Sequence, residues 1–113
     1  MAMILWHNPR CSKSRQTLKL LNDKGFEPSL RLYLADPPDA TEIQDLLDQL
    51  SLSARQLIRL KEARFKELGL ADAQEAELIQ AMAQNPILIE RPILVTKNKA
   101  AIGRPPEAVL AIL

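Results

Sequence analysis

One cysteine and one histidine, the only residues of their kinds in the chain, stand together in the run His7-Asn8-Pro9-Arg10-Cys11-Ser12-Lys13-Ser14-Arg15. The chemistry open to that run is nucleophilic. A thiolate attacks electrophiles that a thiol leaves alone, and at a helix N-terminus beside cations the cysteine pKa falls from about 8.5 into the range of roughly 3.5 to 7.5. Cys11 has that setting: Arg10, Lys13 and Arg15 are cationic, Ser12 and Ser14 carry hydroxyls, and the residues that follow take up a helix-like apolar pattern. Unpaired N–H groups and the positive end of the dipole at a helix start stabilise a thiolate, and they hold an oxyanion equally well. The competing reading is a small buried hydrophobe with no chemistry. Against it, the sulfur is flanked by Arg10 and Ser12 rather than by aliphatic residues.

Two neighbours have a choice of roles. His7 either pairs with the thiolate or fixes the turn through a hydrogen bond. Ser14 either donates to the sulfur or serves the helix backbone, as serines in a first turn do. Three arginines elsewhere have a suggestive context: Arg59 ends the apolar run Leu57-Ile58, Arg91 precedes Pro92 and a strand-like run, and Arg104 lies between Gly103 and Pro105-Pro106. Turn residues at strand ends are where sites are built, and the planar guanidinium fork suits a tetrahedral oxyanion. Spacing alone leaves each of the three open between anion ligand and solvated arginine.

The elements that must position these residues can be read in order. Residues 3–6 are a buried apolar strand, and residues 12–24 a helix with Leu18 and Leu21 on one face and Gly25 as its stop. Residues 28–34 alternate polar and apolar as a strand does. This is a β-α-β unit, which makes its two strands parallel. Asp36-Pro37-Pro38-Asp39 breaks the pattern. Helices follow from Thr41, with Asp39 or Thr41 as cap, from Ala54 to about Leu60, capped by Ser51 or Ser53, through a segment closing at Gly69, and from about Gln74 to Gln84. Residues 87–89 are a short strand or a helix end. Residues 93–96 and 100–102 form a hairpin around Lys97-Asn98-Lys99, and a last helix runs from Glu107 to Leu113 behind Pro105-Pro106. The layout is α/β: a thioredoxin-like fold with a mixed four-stranded sheet and an inserted helical region at about 39–85.

Bulk properties bound the function. A chain of 113 residues with 47% hydrophobic content suits one domain, residues 1–113, with a single core. Fifteen basic residues against 14 acidic ones, a net charge of +1, give no reason to expect nucleic acid or an anionic membrane as partner. One cysteine excludes an intramolecular disulfide and any multi-cysteine metal site, and a single histidine further argues against zinc. The apolar start Ala2 to Trp6 is too short for a signal-peptide core or a membrane span. The expectation is a cytoplasmic protein with no metal and no bound cofactor.

Several separated motifs, in order, carry a family resemblance: the run His7 to Arg15, Leu32-Tyr33-Leu34 before Pro-Pro, Arg59 with Lys66-Glu67-Leu68-Gly69-Leu70, Asn85-Pro86-Ile87-Leu88-Ile89-Glu90-Arg91-Pro92-Ile93, and Gly103-Arg104-Pro105-Pro106-Glu107. Together they closely resemble the glutaredoxin-linked arsenate reductase family, and among it the short bacterial relatives. The resemblance implies that Cys11 attacks arsenate to form a thioarsenate ester, that glutathione attacks the arsenic as external reductant, and that glutaredoxin resolves the mixed species with release of arsenite. It implies that Arg59, Arg91 and Arg104 bind the oxyanion, that His7 and Ser14 tune the thiolate, and that Pro92 is cis. Ser12-Lys13 stand where the arsenate enzymes usually have Gly-Thr. Partners on this reading are glutathione, glutaredoxin and an oxyanion, with no nucleic acid and no membrane, the protein itself acting as a monomer in arsenic detoxification. The rival is a single-thiol redox or regulatory binding module with little arsenate activity. Related redox regulators carry Cys-x-x-Cys, and Ser14 occupies the second thiol's place here.

Overall fold

The computed structural model describes residues 3–113; Ala2, at the head of the apolar start, lies outside them. The chain divides into two compact units, one taking the chain up to Asp36 together with Arg91–Leu113, the other Pro37–Glu90.

The first unit is built on four three-residue strands: β1 (Ile4–Trp6), β2 (Ser29–Arg31), β3 (Ile93–Val95) and β4 (Ala100–Ile102), in the order β2-β1-β3-β4. β1 and β2 are parallel, with Leu5 opposite Leu30, because helix α1 (Ser12–Asp23) carries the chain back between them. β3 lies antiparallel to β1 and to β4, with Leu94 opposite both Leu5 and Ala101. That register sets one face of the sheet. Met3, Leu5 and Leu94 pack there with Leu21 and, partly buried, Leu18 of α1, and with Val109 and Ile112 of the closing segment. Completely burying a leucine of this kind stabilises by about 1.5–3 kcal/mol, so this layer is what holds α1, and hence its first residue, against the sheet.

Helix α1 ends as its sequence requires. Gly25 takes φ +87°, Phe26 N–H donates to the Leu21 carbonyl at 2.9 Å and Gly25 N–H to that of Asn22 at 3.0 Å, the paired bonds of a Schellman close. β2 is shorter than the alternation of residues 28–34 suggests. The Ala35 and Asp36 N–H groups both turn back to the Leu32 carbonyl, so the chain bends just after Arg31. Leu30, Leu32 and Leu34 are exposed while Tyr33 is buried. The alternation is real, but it belongs to an edge strand followed by a turn. The closing segment, Pro106–Ile112, is a 3-10 helix rather than an α-helix, and it starts with a proline, which lacks the N–H a first turn leaves unused.

The second unit is helical: α2 (Ala40–Leu50), α3 (Ala54–Leu57), α4 (Ala63–Glu67) and α5 (Glu75–Gln84), then a 3-10 turn at Pro86–Leu88. Asp39 caps α2, accepting from Glu42 N–H at 2.8 Å in a capping box, and Ser53 does the same for α3. Ser51, the other candidate cap, is instead the left-handed residue that ends α2, with φ +57°. Ile43 and Leu47 of α2, Leu57 of α3, Leu78 and Met82 of α5, and Leu88 are fully buried. The α3 helix stops at Leu57 because Ile58 goes extended and bridges Ile89, while Arg59 N–H donates to the Leu88 carbonyl at 2.7 Å.

Candidate active site

The site grows from the turn between β1 and α1. Asn-Pro is a turn dipeptide, and Asn8 organises it three ways. Its carbonyl accepts from Cys11 N–H at 3.0 Å, its side-chain oxygen accepts from Arg10 N–H at 3.0 Å, and its own N–H donates to Ser14 Oγ at 3.0 Å. Arg15 closes the loop by donating to the Pro9 carbonyl at 2.9 Å. Cys11 is left as the N-cap residue of α1, in extended conformation and buried, at the end of the helix where first-turn amides lack intrahelical partners.

Burial alone pushes the Cys11 thiol up. Four groups outweigh it: the Ser14 amide, the Arg91 charge, the Lys13 amide and the Arg104 charge together hold the thiol below the ordinary cysteine range. Arg104 reaches the sulfur directly, with Nη2 donating to Sγ at 3.7 Å. Its Nε donates to the Arg91 carbonyl at 2.7 Å, so the two arginine segments are tied to each other. Both sit beside X-Pro bonds that are cis, Arg91-Pro92 and Arg104-Pro105. The first matches the expectation for Pro92.

His7 and Ser14 form a buried pair, Nδ1 to Oγ, 2.6 Å apart. Burial first, and the Arg15 charge second, hold the His7 pKa below its usual value, so the ring is neutral near pH 7. The pair shares one proton along this contact. With Asn8 N–H also directed at Ser14 Oγ, the serine hydroxyl is engaged by the loop. Of Ser14 it is the backbone N–H that lowers the sulfur's pKa.

Arg59 belongs to the second unit. Its Nη1 donates to the Ile87 carbonyl at 3.1 Å and its Nη2 lies 3.2 Å from Glu62 Oε2. The first unit therefore brings together Cys11, His7, Ser14, Arg91 and Arg104. One contributor escaped the sequence reading: Asn8, legible in hindsight as the asparagine of an Asn-Pro turn; the Lys13 and Ser14 amides are the helix-start N–H groups that the reading expected beside Cys11.

The arrangement favours the thiolate over the thiol and presents an anion with amides and guanidinium groups around one sulfur. Among the described residues no group of three or more His, Cys, Asp or Glu side chains could hold a metal ion, and no helix is long and apolar enough to cross a membrane.

Residues 6–112 match the model of the ArsC family, which is nearly the whole chain. The chain belongs to the ArsC family. It is 57% identical to the uncharacterized protein YfgD of Escherichia coli (strain K12), over 96% of this chain and 94% of that one. It is 46% identical to the arsenate reductase of Haemophilus influenzae, over the full length of both. Among solved structures, the arsenate reductase from Vibrio cholerae superposes with a TM-score of 0.96 at 47% identity, covering 100% of this chain and 98% of that one. The mixed four-stranded sheet with its helices is thus the thioredoxin-like fold of the ArsC family.

Proposed function

We propose that this protein is an arsenate reductase that uses Cys11 as nucleophile and external thiols as reductant. The observation that carries the reading is the sulfur's surroundings: a cysteine at the start of α1, with the Lys13 and Ser14 amides and the charges of Arg91 and Arg104 lowering its pKa. Those groups favour attack on an electrophilic oxyanion and offset the charge that gathers on its oxygens. Membership of the ArsC family and full-length likeness to arsenate reductases support arsenate as that oxyanion.

The steps balance as follows. The Cys11 thiolate attacks As(V), an S–As bond forms, and one arsenate oxygen leaves as water after protonation. A glutathione thiolate then adds to arsenic and displaces a second oxygen. Glutaredoxin's thiolate attacks the glutathione sulfur. A mixed disulfide forms, the S–As electron pair stays on arsenic, and As(V) becomes As(III). Water releases arsenite and restores the Cys11 thiolate. Two external thiols are oxidised for each arsenate reduced. The chain's single cysteine supports external resolution, since a second protein thiol within the chain does not exist.

In this reading Arg91, Arg104 and Arg59 bind the oxyanion, and His7 and Ser14 hold the turn that aims the amides. The two units act as one arsenate reductase-like domain, in the reducing cytoplasm and as a monomer. Cys11→Ser is the direct test. The unaltered protein, supplied with arsenate, glutathione and glutaredoxin, should form arsenite, and Cys11→Ser should form none above background. Retained turnover in Cys11→Ser would refute the mechanism.

A further inference from the structure

Gly103 sits where three pieces of the site meet. A Cβ built on it would lie 2.6 Å from Thr17 Oγ1, 2.9 Å from Pro92 Cγ and 3.3 Å from Thr17 Cγ2. Its own backbone is in an ordinary region, so the demand is for space rather than for glycine's conformational freedom. Neither neighbour yields cheaply. Thr17 is fully buried and β-branched, and its hydroxyl donates to the Lys13 carbonyl at 2.8 Å. Pro92 has a rigid ring, and its carbonyl accepts from Gly103 N–H at 2.9 Å. Carbon atoms pack at about 3.5–4.0 Å, so relief of the Pro92 Cγ contact alone calls for a shift of more than about 0.5 Å.

What would shift is the site. Thr17 lies on α1, six residues after Cys11; Pro92 follows Arg91; Gly103 precedes Arg104. The Arg104 contact to sulfur is already long at 3.7 Å, and its Nε bond to the Arg91 carbonyl ties that segment to the same corner. We propose that Gly103 is a positioning residue: its missing side chain lets the end of β4 seat against Thr17 and Pro92, and this close seating holds the Arg104 guanidinium on the Cys11 sulfur. The inference rests on the reading of Cys11 as the reacting group.

The test is the pH dependence of Cys11 alkylation by iodoacetamide, which needs no arsenate and meets no second thiol in this chain. In folded Gly103→Ala the apparent thiol pKa should rise by about half to one unit, so that alkylation well below the wild-type pKa slows by about three- to tenfold, with the high-pH plateau not lowered. Adding Thr17→Ala removes two of the three close contacts and should recover part of the loss. In an Arg104→Gln background, Gly103→Ala should move the pKa little further, because the group it positions is gone. A folded Gly103→Ala with the wild-type pKa overturns the proposal, and so does an equal increment in the Arg104→Gln background. Should Gly103→Ala alone fail to fold by circular dichroism, Thr17→Ala is compared with Thr17→Ala/Gly103→Ala, where only the Pro92 contact at 2.9 Å remains: a smaller rise in the thiol pKa is expected, and no rise overturns the proposal. Absence of arsenate turnover in the unaltered protein would sink the proposed activity while leaving this result standing.

Discussion

Replacing Arg104 with glutamine deletes one full charge 3.7 Å from the Cys11 sulfur. Two unit charges at that distance attract by about 1.1 kcal/mol in water and about 4.5 kcal/mol at an effective dielectric of about 20. Arg104 is exposed, so solvent screening places the value toward the lower limit, at about 1–2 kcal/mol. At about 1.4 kcal/mol per unit, the thiol pKa should rise by roughly one unit in Arg104→Gln. The direction follows from charge: the guanidinium stabilises only the thiolate, so its loss favours the thiol. The rise should be partial, because the Ser14 and Lys13 amides and Arg91 still act on the sulfur. The assay is ultraviolet absorbance of the thiolate as a function of pH, checked by alkylation rate. With one cysteine in the chain the alkylation has a single source. The alkylation profile should move to higher pH without a change in its plateau. A folded Arg104→Gln whose thiol titrates as in the wild type would refute the claim that this guanidinium holds the thiolate.

Two further outcomes follow from the same corner. Ser14→Ala removes the partner of His7 Nδ1 and of the Asn8 N–H at a fully buried position. It should cost about 1–3 kcal/mol in denaturant unfolding, yet raise the thiol pKa less than Arg91→Gln does, because the Ser14 amide survives the change; the reverse order of pKa shifts would mean that the hydroxyl, not the amide, holds the thiolate. Stability should also fall in acid. His7 has a folded pKa below its unfolded value of about 6.5, so the unfolded chain binds the extra proton first and the contribution present above about pH 6.5 is lost as pH drops through the folded pKa. Unfolding midpoints measured between pH 7.5 and pH 5 check this, and a His7→Asn protein should lose that part of the slope.

Much of the frame was legible because it rests on short-range physics. Gly25 and Gly69 stop their helices with φ of +87° and +63°, and Asp39 caps α2; such signals are confined to one turn of chain and need no tertiary partner. The parallel pairing of β1 with β2 followed from a helix of the right length between them. Where the reading ran long, a long-range contact intervened. The helix expected to reach Leu60 ends at Leu57 because Ile58 finds Ile89, 31 positions away, and an extended bridge competes with one more helical turn. The strand expected to reach Leu34 ends at Arg31 because β2 is an edge with no second neighbour to hold it straight.

The site divides along the same line. Residue types alone single out Cys11, the one thiol in the chain, next to a turn and ahead of a helix, and they list the cations that could serve it. Which cations reach it is a matter of distance between Cys11, Arg91 and Arg104, and separations of 80 residues or more carry no local signal. The same holds for Ser14, whose place in the first turn suggested a hydroxyl for the sulfur but whose hydroxyl is engaged by His7 and Asn8 while its amide faces Cys11. Only the packing of β4 and α1 against the Pro92 corner brings Thr17 Oγ1 and Pro92 Cγ within 3.0 Å of where a Cβ on Gly103 would lie. Sequence determined which atoms are available for chemistry, since charge and nucleophilicity belong to side chains. Tertiary structure decided which of them meet, since electrostatic and hydrogen-bond energies fall off within a few ångströms.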